Sequence, residues 1–371
     1  MNRVKVLGIL RPGKTTSDID SIGAMSLPIK SAYIMKDKFE VDTSFMTDAI
    51  LKSLDRYPFV ESRTLAPKVQ RAFEVYRSEK FDILHFHLFN YSYIPSILST
   101  ITPEDKVVLT LHLPPTCGRS YYQVQDQVAA LGAMNNVRQI GVSDTGVSDY
   151  IRRSNVPIRT VHNGVSVNED LYLPISEKSN YATIIGRMEI SKNILAGLNY
   201  CISRNIPVHY IGTRPQVQSE ESQNYAEECL KVIRSRPDLI IHHEKLSNRE
   251  VYQILRRAQF NLSLSTLESF GMSLVESCMV GTPNMYLEIP GVQDTMVPGL
   301  TGYPIDKDRI YRKQWVKRYD VMDDALLKIR EMTDGDSECM RTHAQKYFSL
   351  TKCANDYVSV YLDLMSKKGV C

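Results

Sequence analysis

Two glutamates separated by seven residues are the most informative feature of this sequence. Glu268 and Glu276 lie in the stretch STLESFGMSLVESCMVGTP, residues 265–283. The apolar run at 260–264 just before it predicts a strand, and a helix is predicted to begin near Met272 or Ser273. A helix that starts after a parallel strand presents unpaired N–H groups and the positive end of its dipole. The pattern therefore predicts an anion-binding site at this helix start.

The residues around this helix start also suit a ligand that carries hydroxyl groups. Gly271 allows a ligand to approach the backbone closely. Glu276 lies about one turn into the helix, where its carboxylate can reach a pair of hydroxyls. Glu268 lies in the preceding loop, at the sheet edge where doubly wound folds bind ligands.

The elements that must position these residues follow a repeating strand and helix order. Strands are predicted at residues 4–10, 82–87, 107–112, 139–142, 181–185, 208–211, 239–242 and 260–264. Helices are predicted at residues 66–79, 123–134, 193–204, 222–235 and 247–258, with one more from Ser273 to Met279. This order predicts open, doubly wound parallel sheets. An Asn-Gly turn, two acidic residues and a proline within residues 159–174 indicate a linker between two such halves.

The stretch at 265–283 resembles the E-x7-E signature of retaining glycosyltransferases with the GT-B fold, of the glycosyltransferase family 4 kind. Members of that family typically read E-G-F-G-x-x-x-x-E-A-x-A-x-G-x-P. This sequence has Ser269 for the usual glycine and Ser277-Cys278-Met279 for Ala-x-Ala.

Further segments resemble the same family in the same order along the chain. Gly186-Arg187 with Lys192 resembles G-R-x-x-x-x-K, and Thr110-Leu111-His112 resembles T-x-H. In the same way, Val142-Ser143 resembles V-S, residues 161–165 resemble I-x-N-G-V, and residues 299–302 resemble D-G-x-T-G. The tail from Phe348 through Tyr361 resembles the helix that crosses back onto the first domain.

The resemblance implies an α/β protein of GT-B architecture. Two Rossmann-like, doubly wound domains would face each other across a cleft, and a C-terminal helix would cross back to the first domain. The first domain is expected at residues 1–172, together with 350–371, on the acceptor side. The second is expected at residues 173–349 and would bind the nucleotide-sugar. The enzyme would transfer a sugar with retention of configuration from a nucleotide-diphosphate-sugar, with UDP the commonest carrier.

The resemblance also assigns catalytic roles. Arg187 and Lys192 would hold the diphosphate and stabilise the charge that develops on it as it leaves. Glu268 would bind hydroxyls of the donor sugar, and His112 would contact the sugar near the reacting carbon. No two carboxylates in the sequence are arranged as a nucleophile and an acid/base pair. This fits the family's usual account, in which the leaving phosphate helps to take the acceptor proton.

The remaining assignments concern donor binding. Glu276 would hold the ribose hydroxyls, and the loop at 243–247 is expected near the base. Counting back from residues 39–41 places the family's phosphate-contacting glycine pair on Ile22-Gly23, so one glycine is missing. The predicted donor-binding set is Gly23, Leu246, Phe270, Gly271, Met272, Ser273 and Glu276.

Two other motifs point to different chemistry. The segment GILRPGKT, residues 8–15, matches the P-loop pattern, which would place Lys14 on a triphosphate. However, Gly8 falls inside the apolar run at 4–10 and not at its end. The later apolar run at 82–87 should end in a Walker B aspartate but ends in histidine, so a chance match is favoured. Asp18-Ile19-Asp20 reproduces the Asp-x-Asp of metal-dependent sugar transferases but lies in a polar loop. We therefore expect no essential metal or other cofactor.

His85 and His87 alternate on a predicted buried strand and share one face, which favours a core role for at least one of them. Two functional alternatives stay open at this stage. A non-hydrolysing nucleotide-sugar epimerase would use the same fold, and a non-catalytic protein that binds nucleotide-sugars would tolerate the altered glycine pair.

Composition excludes several broad classes. The chain of 371 residues has 45 Lys plus Arg and 42 Asp plus Glu, which argues against general nucleic-acid binding. Its seven cysteines form no CxxC pair, and it contains neither a membrane-length apolar run nor a signal-peptide pattern. A cytoplasmic enzyme is expected, and peripheral membrane contact stays compatible with this composition. Its acceptor would be a small sugar, a lipid, a protein, a natural product or a modified nucleobase.

Overall fold

The protein divides into two compact units. Unit 1 comprises Met1–Gly164 and Leu350–Cys371, and unit 2 comprises Val165–Ser349. The computed structural model describes residues 4–9, 35, 41–46, 66–89, 91–113, 119–152, 155–165, 169–215, 219–244, 246–305 and 319–366. The sequence-predicted positions Lys14, Asp18, Asp20 and Gly23 lie outside these residues.

Unit 1 contains a six-stranded parallel sheet with the strand order β2-β1-β3-β4-β5-β6. Its strands are β1 (Val4–Ile9), β2 (Val41–Met46), β3 (Ile83–Leu88), β4 (Val107–Leu111), β5 (Val137–Gly141) and β6 (Arg159–Thr160). Among the described residues, its helices include α1 (Ala66–Ser78), α2 (Ile94–Thr100), α3 (Arg119–Ala133) and α4 (Asp149–Arg152). All six residues of β3 are buried. Burial on both faces explains why this strand is a continuous apolar run interrupted only by two histidines.

Unit 2 repeats this plan with a second six-stranded parallel sheet, in the order β12-β11-β10-β7-β8-β9. Its strands are β7 (Ala182–Ile185), β8 (Val208–Ile211), β9 (Ile240–His243), β10 (Phe260–Ser263), β11 (Asn284–Leu287) and β12 (Gly302–Ile305). Its helices are α5 (Ile194–Ser203), α6 (Glu220–Ser235), α7 (Asn248–Leu255), α8 (Met272–Met279), α9 (Asp320–Arg330) and α10 (Asp334–Phe348).

The last helix, α11 (Leu350–Ser366), returns to unit 1, as the sequence predicts. Its buried residues Tyr357 and Tyr361 pack with Ile83 and Val108 of the first sheet. The guanidinium of Arg138 on β5 lies 2.7 Å from a carboxylate oxygen of Asp363 on this helix. Among the described residues, no helix is both long and apolar enough to cross a membrane.

The predicted strands in both units are confirmed, with ends displaced by no more than two residues. The four strands that the sequence does not predict are β2, β6, β11 and β12. Three of these strands lack an apolar run: β2 reads VDTSFM, β6 has two residues, and β12 reads GYPI. The fourth, β11, reads NMYL, and its three apolar residues are too few to predict a strand. Three of the four lie at a sheet edge, where one side of the strand is not covered by a neighbour.

The strand order of unit 2 creates a switch point. From β7 the chain adds β8 and β9 on one side and then returns to place β10 on the other side of β7. In open α/β sheets, the crevice at the carboxyl ends of two such strands is the usual ligand site. The loops that follow β7 and β10 carry Arg187, Lys192 and Glu268.

Candidate functional site

The loops after β7 and β10 are bonded to each other at the switch point. The carbonyl of Ser191 accepts a hydrogen bond from the backbone N–H of Thr266 at 2.7 Å. Asn193 has a left-handed backbone, with φ of 49°, and its side-chain amide donates to the carbonyl of Leu264 at 2.9 Å. Asparagine is among the residues that adopt this conformation most readily. These bonds fix Lys192 beside the loop that carries Glu268.

Lys192 and Glu268, which are separated by 76 positions in the sequence, are in direct contact. The Lys192 Nζ lies 2.5 Å from Glu268 Oε1, and the two side chains are 22% and 18% exposed. Arg187 Nη1 lies 3.1 Å from Glu189 Oε1, and the Arg187 side chain is 40% exposed. Both predicted diphosphate ligands are therefore solvent-accessible cations whose charge a neighbouring carboxylate partly balances.

The loop that carries Arg187 is packed closely against the end of β8. The Tyr210 hydroxyl donates to the carbonyl of Gly186 at 2.9 Å. A Cβ at Gly212 would lie 1.9 Å from that same carbonyl oxygen, so a side chain at this position would displace the loop. Glycine at 212 thus allows the close approach of the two backbones.

The start of α8 is built as the sequence predicts. Gly271 is the N-cap with φ of 81°, a conformation that favours glycine. Met272 and Ser273 are half-buried in the first turn, where backbone N–H groups have no acceptor within the helix. The side chain of Phe270 is instead buried in the core, with its ring 5.6 Å from that of Phe348. Only the backbone of Phe270 belongs to the loop at the helix start.

Glu276 is a buried carboxylate on α8, with 4% of the residue exposed. The hydroxyl of Tyr252, on α7, donates to Glu276 Oε1 at 3.3 Å. Tyr252 belongs to an apolar cluster that contains Ile211, at the end of β8, and half-buried Leu246 packs on it. The predicted base-side residue Leu246 therefore packs on the same cluster whose member Tyr252 bonds the predicted ribose-side residue Glu276. Tyr252 is not recognisable as a site residue from the sequence, because its helical spacing with Val251 and Leu255 indicates only a core position.

His112 lies in unit 1, directly after β4, and is 4% exposed. Its Nε2 lies 3.3 Å from Nδ1 of His87, and its ring stacks on Phe89 with ring centroids 4.1 Å apart. In the described part of the chain, the buried Nδ1 of His112 has no hydrogen-bond partner. Burial lowers the pKa of His112 to about 3, so its imidazole is neutral at physiological pH.

The two histidines of β3 have different partners. His85 is bonded through both ring nitrogens, to the Tyr361 hydroxyl at 2.7 Å and to Thr110 Oγ1 at 2.8 Å. The predicted core role of at least one histidine is confirmed for His85. Burial, with a smaller contribution from the charge of His112, lowers the pKa of His85 to about 3. Burial and the two neighbouring histidines also lower the pKa of His87 well below its usual value.

The segment that carries Arg187, Glu268 and Glu276 is similar to a known family. Residues 172–314 match the family model described as Glycosyl transferases group 1. These residues form a glycosyltransferase group 1 domain. The domain contains every predicted unit 2 site residue, from Arg187 to Glu276. Over 114 residues the chain is 32% identical to Putative glycosyltransferase 48 of Sulfolobus islandicus filamentous virus (isolate Iceland/Hveragerdi). This match covers 30% of the chain and spans 35% of the length of the viral protein.

Solved structures resemble the group 1 domain together with unit 1. Sucrose-phosphate synthase from Thermosynechococcus elongatus has a TM-score of 0.72 at 14% identity, covering 99% of this chain and 100% of its own. A glycosyltransferase from Rickettsia africae ESF-5 has a TM-score of 0.70 at 13% identity, with 99% and 100% covered. Anabaena HepE in complex with UDP-glucose has a TM-score of 0.68 at 15% identity, with 96% and 98% covered. The predicted GT-B fold, with two Rossmann-like α/β domains, is confirmed.

Proposed function

We propose that this protein is a retaining glycosyltransferase that transfers a sugar from a UDP-sugar to an acceptor. The observation that carries the proposal is the contact of Lys192 with Glu268 beside the start of α8, within the group 1 domain. A cation, a carboxylate and a helix N-terminus at a switch point suit a ligand that carries both a diphosphate and sugar hydroxyls. The UDP-glucose complex of the similar Anabaena HepE supports a UDP-linked donor.

In this proposal, the cations act on the leaving group. Cleavage of the bond between the sugar and the phosphate concentrates negative charge on the departing diphosphate. Arg187, Lys192 and the N–H groups of Met272 and Ser273 stabilise that charge and so lower the barrier. Because both cations are already fixed by their loops, little reorganisation accompanies the reaction.

The glutamates and His112 select and orient the donor. Glu276 accepts hydrogen bonds from the ribose hydroxyls, and Glu268, held by Lys192, accepts hydrogen bonds from hydroxyls of the sugar. His112, whose Nδ1 has no hydrogen-bond partner among the described residues, forms a further hydrogen bond to the sugar near the reacting carbon. The leaving phosphate accepts the proton of the acceptor hydroxyl, and the new bond forms on the face that the phosphate leaves. The configuration at the reacting carbon is thereby retained.

Thermal melting and product analysis test this function. UDP and UDP-glucose at saturating concentration should raise the melting temperature by several degrees, and ADP or GDP should raise it less. With a panel of acceptors, an α-linked donor should give an α-linked product, identified from the coupling of the anomeric proton by NMR. A β-linked product would overturn the retaining mechanism. Conversion of the donor to an epimer without any acceptor would show an epimerase instead.

A further inference from the structure

The buried carboxylate of Glu276 needs hydrogen-bond donors to stay charged and oriented. A carboxylate that is removed from water is strongly destabilised unless donors replace the lost hydration. The Tyr252 hydroxyl, 3.3 Å from Glu276 Oε1, is such a donor. Because it engages one carboxylate oxygen, it restricts rotation of the carboxylate about its last bond.

The position of the Tyr252 hydroxyl is itself fixed by α7. The helix begins at a capping box: Ser247 Oγ accepts from the backbone N–H of Glu250 at 3.3 Å, and Glu250 Oε2 accepts from that of Ser247 at 2.7 Å. Tyr252 is 8% exposed, and its ring packs in the apolar cluster with Ile211 and Leu255. A buried ring with a polar tip leaves the hydroxyl little freedom to choose another partner.

The hydroxyl also keeps its proton, and so remains a donor, at physiological pH. Burial raises the pKa of Tyr252 far above its usual value, and the negative charge of Glu276 raises it further.

We propose that Tyr252 is a positioning residue for ribose recognition, because its hydroxyl holds the Glu276 carboxylate in the orientation that accepts hydrogen bonds from the ribose hydroxyls. The inference rests on the proposed function, which assigns Glu276 to the ribose. Beyond that assignment, the preference for a ribonucleotide over a deoxynucleotide then depends on Tyr252, a residue that need not touch the ligand. It also makes α7 part of the nucleotide subsite.

The test compares UDP with 2′,3′-dideoxy-UDP, which lacks both ribose hydroxyls, by calorimetric titration of the full chain. The wild-type protein should prefer UDP. Tyr252→Phe keeps the ring and removes only the hydroxyl, so it should weaken UDP binding roughly tenfold. The same change should leave the affinity for 2′,3′-dideoxy-UDP unchanged, and the preference for UDP should fall by the same factor. With a UDP-sugar, KM should rise while kcat is retained.

Tyr181→Phe is the matched control. The Tyr181 hydroxyl donates to the carbonyl of Ile254 at 2.6 Å, so this variant also removes a tyrosine hydroxyl that contacts α7. It has no contact with Glu276 among the described hydrogen bonds, and its preference for UDP should equal that of the wild type. If the loss of such a hydroxyl acted only through the structure, Tyr252→Phe would weaken the binding of both nucleotides equally, or both variants would show the same change in affinity.

Glu276→Ala separates the inference from the proposed function. If Glu276→Ala loses the preference for UDP but Tyr252→Phe keeps it, Glu276 binds the ribose without help, and the positioning role of Tyr252 is wrong. If Glu276→Ala keeps the preference for UDP, the assignment of Glu276 in the proposed function is wrong. Loss of the preference in both variants, with the Tyr181→Phe control unchanged, supports both statements.

Discussion

The predicted site residues of the two units place their polar groups in opposite environments. In unit 2, Lys192 and Arg187 are partly exposed and paired with carboxylates. In unit 1, His112 is buried, neutral and stacked on an aromatic ring, with His87 as its hydrogen-bond partner. The first environment stabilises charge, and the second excludes water and leaves neutral imidazole groups.

In the proposed function, this difference suits the two ends of the nucleotide-sugar donor. The phosphate end carries formal charge, so fixed cations act on it most strongly. The sugar end is neutral and carries hydroxyls, for which a buried neutral imidazole is a directional partner. A histidine with an ordinary pKa would titrate near neutral pH, whereas burial keeps His112 neutral throughout this range.

The largest expected effect of this contrast is the acid sensitivity of unit 1. The pKa of His85 and of His112 is about 3 in the folded protein, against about 6.5 for an unfolded chain. Between these values the unfolded state binds more protons, so the free energy of unfolding falls as the pH decreases. Each of the two histidines should contribute a loss of about 2 kcal/mol between about pH 6.5 and 4.5.

Hydrogen exchange with mass spectrometry measures this effect separately in each unit. After correction for the intrinsic pH dependence of exchange, peptides of β3 and β4 should lose more protection at pH 4.5 than peptides of β7 and β10. Burial lowers the pKa of His209 and His243 as well, but these side chains in unit 2 are only half-buried, and a smaller loss is expected there. Equal loss of protection in both units would contradict the contrast.

The next effect concerns the cations of unit 2. Arg187→Ala should weaken UDP binding about ten- to a hundredfold, because one charge-assisted hydrogen bond to phosphate contributes roughly 1.5–3 kcal/mol. Calorimetric titration measures the change. Arg236→Ala is the control. Arg236 also pairs with a carboxylate, that of Asp238, but it precedes β9 and so lies toward the amino ends of the parallel strands, whereas Arg187 follows β7 at their carboxyl ends. Unchanged UDP affinity in Arg187→Ala would mean that the diphosphate binds elsewhere.

Lys14→Ala tests the P-loop alternative separately. Loss of ATP binding in this variant would favour the P-loop.

Substitution of the two glutamates should affect different ligands. Glu276→Ala should weaken the binding of UDP and of UDP-glucose alike, because its carboxylate is assigned to the ribose. Glu268→Ala should leave UDP affinity nearly intact and lower the transfer rate, because its carboxylate is assigned to the sugar. Parallel titrations with both ligands, together with rates, distinguish the two. Exchanged outcomes would show that the alignment of the two glutamates with the family signature is wrong.

The smallest expected effect is that of metal removal. The diphosphate is assigned to protein cations, so transfer should persist in EDTA. A protein with both Asp18→Ala and Asp20→Ala should retain most of its activity. Strict dependence on manganese or magnesium would instead indicate that the Asp-x-Asp motif is the functional site.

The sequence by itself determined the fold class and most of the core strands. Buried parallel strands such as β3 and β4 are continuous apolar runs, which are visible without any structure. The start of α8 is likewise predictable from adjacent residues, since Gly271 followed by Met272 and Ser273 indicates a helix N-terminus. These features depend on residues that are adjacent in the chain, so the order of residue types predicts them without a structure.

Only the tertiary structure decided which distant side chains meet. Lys192 and Glu268 are 76 positions apart, and their contact depends on the strand order that places β10 beside β7. The bond from Tyr252 to Glu276 joins two helices whose amphipathic patterns indicate nothing more than burial. Burial also set the protonation of His112, because the pKa of an imidazole depends on the surrounding chain and not on its neighbours in sequence.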